Sequence, residues 1–278
     1  VVAERARLAP PKPARTDWPW HELDAKTVPV SFVDQGDRRL EAENYLTEGF
    51  ATRLSIERRP VGWARLADCA QVWQPSRLKG IQVTPQHGTP FLAATQLFDA
   101  YPIPRKWLSL HRTHEAKKRF VSRGTILITC SGNVGRAVLA PAVVEKTLIS
   151  HDILRVQPHS TKNWGWLYAY LRSYHVRSMM RSEQYGHIIK HLETHHLDAI
   201  PIVTPSEQQQ RYFQEKAAEI LRLRDNANRR AEEAERIYTE ALGGEPSEGE
   251  GEVGFNVPVN RLSTSGRLRL EAAFYKPN

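Results

Sequence analysis

The sequence predicts an α/β protein: a mixed-sheet domain over residues 46–205, then a long coiled-coil-forming helix over 206–243. Three observations carry that prediction. Short β-branched runs bounded by Gly, Pro and Ser alternate with a helical repeat of apolar residues in the first block. Residues 206–242 contain neither Gly nor Pro. The whole excess of positive charge also sits in the first block: residues 46–205 hold 21 Lys/Arg against 10 Asp/Glu, a net +11, whereas 1–45, 206–242 and 243–278 each come to −1.

A chain of 278 residues that is 40% hydrophobic has enough apolar material to bury a core. It has no run of eighteen apolar residues to span a membrane, and no basic start followed by an apolar stretch to direct secretion. A cytoplasmic location is therefore expected. Cys69 and Cys130 are too few for a disulfide framework or a four-cysteine zinc site, so both are expected to be free.

Residues 1–45 read as an N-terminal arm and opening motif, because Pro10-Pro11-Lys12-Pro13 breaks any helix. The clearest strand is Gly124-Thr-Ile-Leu-Ile-Thr-Cys130, which begins at a turn glycine and ends at Ser131-Gly132. A second strand is expected at Asp152–Val156, closed by Pro158. Between Trp164 and Met180, Trp166, Leu167, Tyr170, Leu171 and Tyr174 recur at three and four, the signature of a helix with one buried face. Leu197–Val203 reads as a short edge strand interrupted by Pro201.

The long helix starts at Pro205-Ser206-Glu207. Phe213, Ile220, Ala227, Ala234 and Ala241 fall at seven-residue spacing, with Ala217, Ala231 and Tyr238 four residues on. That is an a/d seam for a second helix, interrupted by Arg224. At ~1.5 Å per residue it would be ~55 Å long, which suggests a spacer arm; a helix packed lengthwise on its own domain is the competing reading. Gly243-Gly244 ends it, and 244–256 is a Gly/Glu-rich linker.

An internal repeat closes the chain. Val28-Pro-Val30, Gly36, Arg39-Leu-Glu-Ala42 and Tyr45 return as Val257-Pro-Val259, Gly266, Arg269-Leu-Glu-Ala272 and Tyr275, with a one-residue insertion. A period near 230 residues is too long for a solenoid unit. Duplicated modules are expected instead, with residues 257–278 as the start of the second.

Within the basic block, Lys79, Arg105, Lys106, Arg112, Lys117, Lys118, Arg119 and Arg123 are candidates for phosphate contacts, since clustered cations release counterions from nucleic acid. A solvated loop is the alternative. Trp107 and Phe120 among them suit anchoring to the core better than stacking on bases. Thr129-Cys-Ser-Gly-Asn-Val-Gly-Arg136 carries a strand into a glycine-rich turn. It can be a hairpin that the fold needs, and it can also present Ser131, Asn133 and Arg136 to DNA. His187, His191 and His195 lie at i, i+4 and i+8, yet no acid stands between the first pair in a H-E-x-x-H arrangement, so no metal is expected.

Catalysis is not expected in this chain. The turn is no nucleophile elbow, because Cys130 takes the place of the first glycine. It lacks the Gly-Lys-Ser/Thr of a P-loop, and the chain has no adenine-methylation motif and no evident nuclease cluster.

Several stretches together resemble one family. They are Arg39-Leu-Glu-Ala-Glu43 with Tyr45, Phe120 through Arg136, Ile149-Ser-His-Asp-Ile-Leu-Arg155 and Trp166-Leu-Tyr-Ala-Tyr-Leu171, then Gln184-Tyr-Gly-His-Ile-Ile-Lys190 and Ile200-Pro-Ile202 before the helix. In that order they are similar to the specificity (S) subunit of type I restriction–modification systems, in which two target-recognition domains alternate with two long helices. A departure is the proline-rich arm ahead of the first module, which leaves open a neighbouring defence system using the same subunit type. The resemblance implies double-stranded DNA as ligand, with His187 and Lys190 at or near the DNA face. It further implies DNA adenine methyltransferase subunits docked on the helix, S-adenosylmethionine bound by them and not by this chain, and a motor–nuclease subunit as an optional partner. A nucleic-acid-binding protein that acts without a methyltransferase is the alternative.

Overall fold

The computed structural model describes residues 27–28, 30–35, 40–183 and 191–242. The proline-rich arm, His187, Lys190, the linker and the second copy of the repeat lie outside the described residues. The chain divides into two units, residues 1–229 and 230–278.

Three helices open the first unit: α1 (Val30–Gln35), α2 (Ala42–Leu46) and α3 (Glu48–Glu57). Strand β1 (Trp63–Arg65), helix α4 (Leu66–Cys69) and strand β2 (Ala70–Trp73) follow. Next come β3 (Gln82–Val83), β4 (Thr89–Leu92), β5 (Lys106–Leu108) and the single turn of α5 (Ala116–Arg119). The middle of the chain forms β6 (Ile126–Thr129), β7 (Ala137–Leu139), β8 (Leu148–Ile149) and β9 (Ile153–Pro158). Helices α6 (Trp164–Arg172), α7 (Tyr174–Glu183) and α8 (Thr194–Asp198), strand β10 (Pro201–Val203) and helix α9 (Glu207–Ala241) complete it.

The strands form an antiparallel sheet of order β2-β9-β6-β7, a mixed sheet of order β3-β5-β4-β8 and a β1–β10 pair. In the mixed sheet only β4 and β8 run parallel. Strand β6 is buried along its whole length, as its unbroken Ile-Leu-Ile run requires, and alternate residues serve two cores. Ile126 and Ile128 point to the larger core with Leu154 and Val156 of β9, Leu167 and Leu171 of α6, and Met179 and Met180 of α7. Leu127, between them, enters a second core with Val138, Ile149 and Ile153. Phe120 packs on a third, with Phe91, Leu108 and Leu148, so it anchors its loop as the sequence suggests.

Two expectations are corrected. The periodic stretch 164–180 is two helices, because Ser173 adopts an extended ψ of 153° and ends α6. Leu197–Val203 is the end of α8 followed by β10, which pairs with β1 through Pro201 opposite Arg65.

Helix α9 begins with a reciprocal cap: the Gln209 amide N–H donates to Ser206 Oγ at 3.3 Å, and the Ser206 N–H donates to Gln209 Oε1 at 2.9 Å. Its first turns lie on the domain. Phe213 meets the Trp166 ring edge-on with centroids 5.3 Å apart, Ala217 and Leu221 are buried in the larger core, and Ile220 packs against it. The approach to α6 is close enough to require glycine: a Cβ on Gly165 would lie 2.3 Å from the Phe213 carbonyl oxygen. Asp225 accepts from the Ala142 N–H at 2.8 Å and from Arg123 Nε at 2.6 Å. The spacer reading is thus corrected for this part of the helix. Phe213, Ala217 and Ile220 are occupied by the domain itself, whereas Ala227 and Ala234 are exposed, Ala231 is half-buried and Tyr238 is 63% exposed.

Candidate nucleic-acid interface

The glycine-rich turn is a hairpin between β6 and β7, paired Ile126↔Leu139, Leu127↔Val138 and Ile128↔Ala137. Gly132 and Gly135 have φ of +66° and +81°, in the left-handed region that side chains disfavour, so both glycines are demanded by the backbone. Thr129 ties the loop shut. Its N–H donates to the Arg136 carbonyl at 3.0 Å, and its hydroxyl donates to the Asn133 carbonyl at 2.5 Å while accepting from the Arg136 N–H at 3.0 Å.

Behind the loop stands α7, held by Val176, Met179 and Met180 in the core. Arg177 and Arg181, one turn apart, therefore lie against the hairpin. Arg177 Nη2 donates to Asn133 Oδ1 at 2.7 Å, and Arg181 Nη2 reaches the same oxygen at 3.4 Å. Arg136 lies over the Phe98 ring, 4.2 Å from its centroid. Burial depresses the pKa of Arg177, and the like charges of Arg181 and Arg136 depress it further. Among the described residues no carboxylate pairs with any of these three arginines. Ser131 shares a hydrogen bond with His191 Nδ1 at 3.1 Å, and the two residues bridge backbone to backbone.

The sequence singled out Ser131, Asn133 and Arg136, and the structure brings them to one tip. It missed Arg177 and Arg181. Their signal was present: once Ser173 ends α6, they fall at i, i+4 on the face opposite Val176, Met179 and Met180.

The basic run 105–123 has a mixed fate. Lys79, Arg112 and Lys117 are exposed around a corner where the His114 N–H donates to the Lys79 carbonyl and the Ser76 N–H donates to Glu115. Lys118 is exposed there too and pairs with Glu115 at 2.6 Å. That bond, then those from Ser76, holds the Glu115 carboxyl down at about 2. Arg105 and Lys106 are exposed at the start of β5. Arg119 is corrected: it is fully buried, donating from Nε to the His114 carbonyl at 3.1 Å and from Nη2 to the Ser76 carbonyl at 2.8 Å. It braces the corner and cannot meet phosphate. Arg123 is engaged with Asp225, so part of its charge is spent on α9.

Chemistry by a thiol is disfavoured. Cys130 is buried and free, and burial, then Asp152, pushes its thiol up to about 12. No group of His, Cys, Asp and Glu suited to a metal occurs among the described residues, and no helix among them is long and apolar enough to cross a membrane.

The first unit is thus an α/β domain with a mixed sheet and an antiparallel sheet, and at its β6–β7 hairpin three guanidiniums gather with no carboxylate partner among the described residues. No family model and no curated protein matches the chain. Solved structures do. The chain is similar to the S subunit of a type I restriction–modification system from M. genitalium, with 13% identity and a TM-score of 0.38 over 57% of this chain and 38% of that one. It is similar also to the HsdS subunit from Thermoanaerobacter tengcongensis (19%, TM-score 0.40, 72% and 50%) and to a structure describing type I R-M complex assembly and conformational transition (20%, TM-score 0.42, 75% and 52%). The chain spans about half or less of the length of these structures.

Proposed function

We propose that this chain is the sequence-specific DNA-recognition subunit of a restriction–modification or related methylation-based defence complex. Its basic domain reads one half of a two-part target. The exposed residues of α9 dock a DNA adenine methyltransferase, which binds S-adenosylmethionine and takes the target base out of the duplex. A motor–nuclease subunit adds cleavage where it is present. The chain itself is non-catalytic on this reading.

The observation that carries the proposal is the hairpin tip, where Arg177 and Arg181 meet Asn133 and Arg136 lies in electrostatic reach of Arg177, without a neutralising acid among the described residues. Such a group repels itself unless an anion or an acceptor-rich surface is brought to it. The net +11 of residues 46–205 and the ordered motifs of the S-subunit resemblance support the same reading.

Binding to duplex DNA is expected to weaken steeply with salt, because each phosphate contact releases counterions. Lys117→Glu with Lys118→Glu should lower affinity for all sequences alike and flatten the plot of log affinity against log salt. Fluorescence anisotropy at several salt concentrations reads both effects. An unchanged slope in the double variant would move the phosphate contacts away from this corner.

A further inference from the structure

The donors around Asn133 narrow what the hairpin can read. Arginine offers N–H groups and no acceptor, so the Asn133 atom facing Arg177 and Arg181 must be its carbonyl oxygen. Arg177 donates to that oxygen at 2.7 Å, and Arg181 approaches it at 3.4 Å. The amide is thereby held with its acceptor turned to α7, which leaves its NH2 group as the part that can still donate. An unrestrained asparagine recognises adenine by accepting from N6 and donating to N7. Asn133 lacks the accepting half.

The neighbouring groups have the same polarity. The Arg136 guanidinium is exposed, rests on Phe98 and donates to no other described residue. The tip is exposed at Gly132 and Asn133, and among the described residues a Cβ on Gly132 would meet nothing within 4 Å. The donors this hairpin can offer are therefore the Arg136 guanidinium and the Asn133 NH2 group, both planar and neither with an acceptor to present. In the major groove guanine alone presents two adjacent acceptors, O6 and N7, on one base, and adenine places a donor where O6 would be.

We infer that the 131–136 hairpin reads guanine in the major groove, Arg136 and the Asn133 NH2 group supplying the donors, and that Arg177 and Arg181 enforce this choice by occupying the Asn133 oxygen. The inference rests on the DNA-recognition reading above. The same donors could meet a backbone phosphate, but a phosphate contact is indifferent to base identity, and that difference decides the test.

Duplexes bound by the full chain are selected from a randomised library and sequenced, for the wild type and for Arg136→Ala and Arg177→Ala. The expected wild-type motif contains a guanine whose preference over the other bases, about tenfold or more, collapses in Arg136→Ala. Arg177→Ala, which removes the closer of the two donors to the Asn133 oxygen, should admit adenine at that position, an effect that loss of fold would not produce. Replacing that guanine by 7-deazaguanine in the selected duplex should weaken binding by the wild type about tenfold, whichever variants fold. A motif whose every position is unchanged in both variants, or a wild-type motif with adenine at the position they alter, overturns the inference. Equal loss on all sequences makes the tip a phosphate contact and overturns it too. If the wild type binds no duplex at all, the underlying reading fails and takes this one with it.

Discussion

Leu221→Asp is expected to abolish the cooperative unfolding transition of the domain, with a loss of about 4 kcal/mol or more. Leu221 is 2% exposed and lies in the same core as Ile126, Leu154 and Leu171, so an aspartate there places an unpaired charge among apolar side chains. Tyr238→Asp provides the contrast. Tyr238 is 63% exposed, so the variant should melt within about 0.5 kcal/mol of the wild type. It should nonetheless lose association with the methyltransferase, if the exposed residues of α9 carry that contact. Calorimetry and co-purification separate the two outcomes. Equal thermal losses in both variants would mean that the distal residues of the helix also belong to a core.

The second large effect is at the hairpin. Replacing Arg136, Arg177 and Arg181 together with alanine is expected to cost about 2–6 kcal/mol on the specific site: about 1–3 kcal/mol for the Arg136 contact and about 1–3 kcal/mol for the Asn133 contact that Arg177 and Arg181 hold in place. On random DNA the loss should be far smaller. The fold should survive, because Arg136 and Arg181 are exposed and the core contacts of α7 come from Val176, Met179 and Met180. A competition titration of the specific duplex against a scrambled one gives the difference directly.

Much of this arrangement was legible in the sequence, and the remainder was not for identifiable reasons. The Ile-Leu-Ile run of β6 and the helix start at Pro205-Ser206-Glu207 are local signals that packing leaves intact. The sheet β3-β5-β4-β8 gave no such signal: its strands are two to four residues long, too short to establish a period of two. Arg119 follows Lys117 and Lys118 with the same charge, and only the single turn of α5 rotates it inward while leaving the two lysines in water. On α9 the residues 213, 217 and 220 satisfy an a/d seam. They satisfy the face of a helix lying on its own domain equally well, since both are apolar stripes at three and four. Periodicity identifies a covered face without saying what covers it.

On this reading the hairpin and α7 touch DNA. Ultraviolet crosslinking of the full chain to its selected duplex, with the linked peptides identified by mass spectrometry, shows whether they do. Crosslinks are expected in the peptides spanning Thr129–Arg136 and Tyr174–Glu183, and they should disappear with the triple arginine replacement. Crosslinks confined to α9, or unaffected by that replacement, would contradict the account.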